Sequence, residues 1–236
     1  MSNMTEKSQD KNKTTNSEST EENKPKAAKT FFIIKREDIG NAQLEPLLSK
    51  PLPVRHKDWV HSTPKLSTPG FNAVDPPPYR NFNVFTAGSI EMGNAVNWQP
   101  LMANHLRDLP ITVCDPRRPD NDWNPAMARV PDDNGLTGMQ AQIDWELNAQ
   151  DRVTVICFFF DVDTNSPVSR LELGLFAKSN KVVVCCDDRY HKWDNVKATC
   201  ERYKIPFAKT FEEFVPKVRN MLGEKGLKLP EAKAAT

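Results

Sequence analysis

Residues 153–160 read VTVICFFF, a run built almost entirely of β-branched and aromatic side chains. A strand that faces water on one side alternates apolar with polar residues. A strand buried on both faces does not, and such strands belong to parallel sheets covered by helices. The run is long enough to be central, and the rest of the chain can be arranged around it. FNVFTAG (82–88) is a shorter apolar run that ends in glycine. From Ala95, the residues Val96, Trp98, Leu101, Met102, His105, Leu106 and Leu109 recur at helical spacing. ITVCDP (111–116) is a second strand, stopped by Pro116, and a polar loop over 117–137 leads into a helix across Met139 to Ala149. After the central strand, SPVSRLELGLF (166–176) opens a helix, with Ser166 placed to cap it and Pro167 at the first helical position. KVVVCC (181–186) is the next strand, and a helix from about Asp194 to Tyr203 leads to a short edge strand in IPFAKT. FEEFVPKVRNMLGEKG closes the fold, with Pro216 expected to bend or interrupt its helix.

Repeated strand–helix alternation predicts a parallel sheet with helices on both faces. The expectation is an α/β, flavodoxin-like, doubly wound five-stranded parallel sheet over residues 81–225. Ligands of such sheets bind beyond the carboxyl ends of the strands, where the strand order reverses. AGSIEMG, FDVDTNSP and the loop around His191 lie at those ends.

The remaining segments read differently. Residues 1–29 are Lys, Glu, Ser, Thr and Asn with almost nothing apolar, so they are expected to be a disordered tail. Within residues 30–80, FFII (31–34) could form a short strand and Ile39 to Leu48 a short helix, whereas the prolines of residues 50–80 preclude a regular helix or a central strand. They predict an extended arm along the domain, with Trp59 and Phe71 as contacts. Residues 226–236 are expected to be a loose tail. Lys and Arg total 32 against 31 Asp and Glu, a net charge of +1, so nothing draws the whole chain to a nucleic-acid polymer or an anionic membrane. No apolar run approaches the ~20 residues of a spanning helix. Five cysteines without C-x-x-C spacing read as buried thiols in a reducing compartment. The first residues hold no apolar leader, and no arginine precedes Arg36, so a cytoplasmic protein is expected.

Two carboxylates carry the functional argument. Val168, Leu171 and Leu175 fall at i, i+3 and i+7, the stripe expected to be buried, and Glu172 shares it. Burying an ionised carboxylate without partners is costly. Either Glu172 opens toward the crevice, with Gly174 and Ala177 letting the helix approach the sheet, or it leaves the stripe to pair with Arg170 or Lys178. Spacing leaves both readings open. In GMQAQIDWELNAQ, Met139, Ile143, Leu147 and Gln150 mark one side, with Glu146 at its edge. Two carboxylates near one crevice are the equipment for cleaving a glycosidic bond. In AGSIEMG, Gly88 and Gly93 bracket a loop whose backbone N–H groups and Ser89 can approach a hydroxyl or a phosphate. Dinucleotide, Walker A, nucleophile-elbow, H-E-x-x-H and EF-hand patterns do not occur.

VFTAGSIEMGNAVNWQ, CDPRRPDNDWN, QIDWEL and FFFDVDTNSPVSRLELGLFAKSNKVVVCC, in this order and spacing, resemble the nucleoside 2-deoxyribosyltransferase family. The likeness is to its branch with an S-P-[IV]-S-x-L-E-L-G-L pattern and covers about residues 82–205. The resemblance implies that Glu172 is the nucleophile. It attacks C1′ of a 2′-deoxynucleoside and forms a deoxyribosyl ester that a second nucleobase, or water, resolves. Glu146 would assist proton traffic at the base. Gly88, Ser89, Ile90 and Gly93 would line the sugar and base pocket, and Asp161 or Asp163 would contact sugar or base. Asn195 would reach a neighbouring subunit's site in a homo-oligomer. The family implies neither a cofactor nor a metal. Two departures stand out. The best-known transferases carry Asp six residues before the nucleophile, where this chain has Ser166, the residue type that related deoxynucleotide N-hydrolases set against a 5′-phosphate. The second acid is Glu where many relatives have Asp. The expected function is therefore deoxyribosyl transfer in nucleotide salvage, with a small-molecule 2′-deoxynucleoside or deoxynucleotide and a free nucleobase as partners. The alternatives are a deoxynucleoside or deoxynucleotide N-glycosidase using water, or a nucleotide-binding module without turnover.

Overall fold

A computed structural model describes Leu44 and residues 50–64, 75–91, 94–118, 131 and 135–230. The tail expected over 1–29, Phe71, Gly93, most of the 117–137 loop and the chain from 231 onward lie outside the described residues.

Six strands form one all-parallel sheet where the sequence predicts five. They are β1 (Val60–Ser62), β2 (Phe82–Gly88), β3 (Ile111–Cys114), β4 (Val155–Phe160), β5 (Val182–Cys186) and β6 (Phe207–Ala208), in the order β1-β3-β2-β4-β5-β6. The additional strand comes from the Pro-rich arm. Residues 54–63 are free of proline, and Val60, His61 and Ser62 pair with Thr112, Val113 and Cys114 of β3. An edge strand needs only one paired side, so a short interval between prolines suffices. Trp59 tucks into the core beside it. Without β1, the order is that of a flavodoxin-like sheet, with the reversal of winding between β2 and β4.

β4 is central, paired to β2 and β5. Val155, Cys157 and Phe159 face one core, Ile156, Phe158 and Phe160 the other, and all six are buried. This double burial is why the run shows no alternation. The first face is covered by α1 (Gln99–His105) and α5 (Phe211–Glu224), through Met102, Phe211, Phe214 and Val218. The second is covered by α2 (Gly138–Arg152), α3 (Pro167–Phe176) and α4 (Trp193–Tyr203), through Trp145, Ala149, Leu173, Phe176 and Val196. α2 opens with a capping box: Thr137 Oγ1 accepts from the Gln140 N–H at 3.1 Å, and Gln140 Oε1 accepts from the Thr137 N–H at 3.1 Å. α5 continues through Pro216, so the expected interruption does not occur. No helix among the described residues is long and apolar enough to cross a membrane.

The two helices that carry the candidate carboxylates are turned away from the register that apolar spacing predicts. In α3 the buried residues are Ser169, Glu172, Leu173 and Phe176, whereas Val168, Leu171 and Leu175 are 60, 73 and 64% exposed. At about 100° per residue these stripes lie roughly a third of a turn apart, and Glu172 sits on their boundary. A Cβ on Gly174 would meet nothing, so Gly174 does not bring the helix to the sheet, although Ala177 is buried. In α2 the sheet-facing residues are Gly138, Ala141, Trp145 and Ala149, and Ile143 and Leu147 are exposed. The rotation turns Gln142, Glu146 and Gln150 of α2 (i, i+4, i+8) toward the side where Glu172 of α3 lies.

Candidate active site

The loops at the carboxyl ends of β2 and β4 meet where the winding reverses. β2 ends on Gly88 at φ +129°, and a Cβ there would stand 2.2 Å from the Phe159 carbonyl oxygen, so only glycine lets the two strands close. This approach puts Ser89 against the β4 loop. Its N–H donates to the Phe159 carbonyl at 2.9 Å, and its Oγ accepts from the Asp161 N–H at 2.9 Å. Ser89 Oγ also lies 2.8 Å from Thr164 Oγ1 and 2.6 Å from Ser166 Oγ, and the latter two are 2.8 Å apart. The three hydroxyls form a buried triangle. Thr164 Oγ1 also donates to the Asp161 carbonyl at 2.9 Å.

Ser166 begins α3 but does not cap it with its side chain, contrary to expectation. Its backbone is left-handed (φ 42°), and its hydroxyl is spent in the triangle. Glu91 takes over instead. One of its oxygens accepts from the Ser166 N–H at 2.7 Å and also from the Asn165 N–H. Glu91 itself sits at φ 44°, a conformation that non-glycine residues adopt at a cost on the order of 1 kcal/mol. Asp161 is buried, its carboxylate accepting from the Val96 N–H at 2.8 Å and from the Asp163 N–H at 3.2 Å. It pins the start of α1 to the β4 loop. Asp163 is exposed. Ile90 is half-buried, and its carbonyl accepts from the Ala95 N–H at 3.1 Å. Asn195 is exposed in the first turn of α4, without a contact to the carboxylates among the described residues.

The carboxylates lie between α2 and α3. Glu172, 9% exposed, accepts a hydrogen bond from Gln150 Nε2 rather than pairing with Arg170 or Lys178. Gln150 is fully buried, and its Oε1 has no hydrogen-bond partner among the described residues. Glu146 accepts from Gln142 Nε2 at 2.8 Å, and Gln142 Oε1 accepts from Arg118 Nε at 2.6 Å. Burial pushes the Glu172 carboxyl up to about 6, against the opposing pull of Gln150. Burial pushes Glu146 up to about 7; the Gln142 hydrogen bond opposes this, the charge of Glu172 adds to it, and the Arg118 charge opposes it. Both arginines of the β3 loop are half-buried. Arg117 reaches the Ala95 and Val96 carbonyls at 3.1 and 3.3 Å, and Arg118 supports Gln142. The arm contributes one link: His61 Nε2 lies 3.0 Å from Asp115 Oδ2, and Asp115 Oδ1 accepts from the Arg117 N–H.

Sequence reasoning did not single out Glu91 or Gln142 as partners of the site, weighed Arg117 and Arg118 only as phosphate contacts against a solvated loop, and used Gln150 only to mark a helix side. The i, i+4, i+8 spacing of Gln142, Glu146 and Gln150 is the signal that could have found the glutamines. Nothing in the spacing of Glu91 points to α3, because 74 and 75 residues separate it from Asn165 and Ser166.

A doubly wound parallel sheet of flavodoxin-like order, with one buried and one half-buried carboxylate between adjacent helices, defines the class: an α/β domain built like those that handle small polar ligands at a winding reversal. Residues 81–190 match the family model described as nucleoside 2-deoxyribosyltransferase like. No curated protein matches the chain. The matched span holds both glutamates, the hydroxyl triangle and Glu91, and leaves β1 and Asn195 outside.

Proposed function

We propose that the chain cleaves the N-glycosidic bond of 2′-deoxynucleosides through a covalent deoxyribosyl ester on Glu172 and transfers the sugar to another nucleobase. A Glu172 oxygen bonds to C1′ as the C1′–N bond breaks, and the bonding pair leaves with the base. Protonated Glu146 delivers its proton to the base nitrogen. In the second half, the acceptor base loses its proton to Glu146 and its nitrogen takes C1′ while Glu172 departs. Two displacements retain the configuration at C1′. An ionised Glu172 also stabilises the positive charge that develops on the sugar. Water in place of the acceptor base would make the same site a hydrolase.

The observation that carries this reading is the pair itself. Glu172 and Glu146 sit near each other in different environments, raised to about 6 and about 7. At neutral pH one is mainly ionised while the other is close to half protonated, the division that a nucleophile and a general acid need. Gly88, Ser89, Ile90 and Gly93 are assigned to the sugar and base pocket on the family pattern. Asp161 is assigned to positioning the β2–α1 segment. Asp163 remains a candidate for a sugar or base contact, and Asn195 for a contact with a neighbouring subunit's site. Self-association is part of the reading, supported by the exposed Val168, Leu171 and Leu175 of α3 and the exposed Ile143 and Leu147 of α2. A cytoplasmic setting is supported by five buried free thiols.

The test is incubation with thymidine or 2′-deoxyinosine, with and without free adenine, followed by chromatography, beside a Glu172→Ala control. New deoxyadenosine that vanishes in the variant supports transfer and the nucleophile together. Free base released equally with or without adenine moves the reaction to hydrolysis. No cleavage of deoxynucleosides or their monophosphates by the wild type refutes the reading.

A further inference from the structure

Glu146 is held by a neighbour that is itself fully held. Gln142 lies one helical turn before it on α2, the i, i+4 spacing that brings two side chains together. A glutamine amide offers one acceptor oxygen and two N–H donors. Here all three are used. Oε1 accepts from Arg118 Nε at 2.6 Å, and Nε2 donates to the Pro116 carbonyl at 3.2 Å and to Glu146 Oε1 at 2.8 Å. Two of these partners belong to the loop after β3, and that loop is anchored from behind. The Asp115 N–H donates to the Ser62 carbonyl of β1 at 2.8 Å, and Asp115 Oδ2 lies 3.0 Å from His61 Nε2.

The amide has one orientation that works. Turned by half a revolution, it would set Nε2 against the Arg118 guanidinium, donor facing donor. Oε1 would then face the Pro116 carbonyl and the Glu146 carboxyl oxygen, acceptor facing acceptor. An amide that cannot turn constrains the carboxyl it touches. Glu146 Oε1 receives an N–H in both protonation states, as one oxygen of the carboxylate or as the carbonyl oxygen of the acid. The exchangeable proton therefore belongs on Oε2. The same donor favours the charged form, as does the Arg118 charge, while burial and the charge of Glu172 on α3 favour the neutral one. Without Gln142 the acid would hold its proton more tightly, and nothing in this clamp would tell its two oxygens apart.

On the reading that Glu146 is the general acid, we infer that Gln142 is its positioning residue, locked by Arg118 and holding Glu146 Oε1 as an acceptor so that the transferable proton sits on Oε2. Carbon-13 NMR titration of the Glu146 carboxyl in the full chain tests this without turnover. Wild type, Gln142→Met, Arg118→Met and the double variant are compared, with Glu146→Gln to assign the signal and thermal unfolding to check folding. Against a wild-type midpoint of about 7, Gln142→Met should titrate about one pH unit higher. Arg118→Met should move the midpoint the same way, and the double variant should fall short of the sum, because Arg118 acts largely through the amide. Single-turnover cleavage of thymidine by Gln142→Met should slow by about tenfold or more at its optimum, with its basic limb following the NMR midpoint upward. An unmoved midpoint in Gln142→Met, or two shifts that simply add, overturns the inference whether or not the protein cleaves nucleosides. If Gln142→Met does not fold, an unmoved midpoint in Arg118→Met overturns it instead. A midpoint that moves beneath an unmoved rate profile keeps the hold of Gln142 on Glu146 and removes Glu146 from the reaction.

Discussion

At pH 8 the folded protein holds Glu172 as a carboxylate that is 9% exposed and has Gln150 as its donor. Burial has raised its pKa from an ordinary 4.5 to about 6, and the sign of the consequence follows. Below about pH 4.5 the carboxyl is protonated in folded and unfolded chains alike. Between 4.5 and about 6 the unfolded chain ionises first, so stability falls as pH rises. Above about 6 the loss is complete, and the rise is worth roughly 2 kcal/mol. Glu172→Gln removes that cost. Its new amide also has an acceptor waiting, because Gln150 Oε1 is buried without a partner among the described residues, and a hydrogen bond there adds about 1 kcal/mol above about pH 6, where wild-type Glu172 has no proton to donate; at pH 4 the protonated carboxyl can donate to the same acceptor. The variant should therefore exceed wild type by roughly 3 kcal/mol at pH 8 and match it to within about 1 kcal/mol at pH 4, while losing its chemistry. For a domain of this size that corresponds to a melting temperature raised by roughly 6–12 °C at pH 8. Urea unfolding at the two pH values checks it. A variant less stable than wild type at pH 8, or a difference that ignores pH, would refute the account of Glu172 as a strained, functional carboxylate.

Other perturbations reach other parts of the structure. Gln150→Leu strips Glu172 of its donor and should move the acidic limb of the pH–rate profile upward from about 6, with kcat lowered tenfold or more; an unmoved limb counts against the hydrogen bond. The full profile of the first half-reaction needs Glu172 ionised and Glu146 protonated, so single-turnover rates should peak between about 6 and about 7, and a plateau running to pH 9 would remove Glu146 from the acid role. Gly88→Ala places a methyl 2.2 Å from the Phe159 carbonyl at a backbone angle alanine avoids, and should destabilise by several kcal/mol, read as a loss of soluble protein or a lowered unfolding midpoint. Leu171→Asp with Leu175→Asp should leave the thermal midpoint of an isolated protomer near wild type but shift sedimentation toward the monomer; unchanged sedimentation would mean that the exposed stripe does not hold copies together.

The layered fold was legible because burial on both faces writes itself into composition. VICFFF and VVVCC carry no polar alternation, and each is buried along its whole length. β1 was hidden for the opposite reason. Val60–Ser62 is three residues long, half-buried and set among prolines, and an edge strand of that length leaves no periodicity to detect. The hydroxyl triangle was equally invisible, because Ser89 and Ser166 are joined by tertiary contact across 77 residues rather than by spacing.

The helix faces explain why the carboxylates could be named while their surroundings were misjudged. A count of apolar residues assigns Val168, Leu171 and Leu175 to the core, because it supposes that every apolar stripe is buried within its own protomer. α3 breaks that supposition. It gives its sheet side to Ser169, Leu173 and Phe176, and Glu172 shares that buried face. The same trade occurs in α2, where Ala141, Trp145 and Ala149 pack on the sheet while Ile143 and Leu147 are left outside. An acidic residue lying on the boundary of an apolar stripe, as Glu172 does, is thus a sign that the stripe marks the edge of a site rather than the centre of a core.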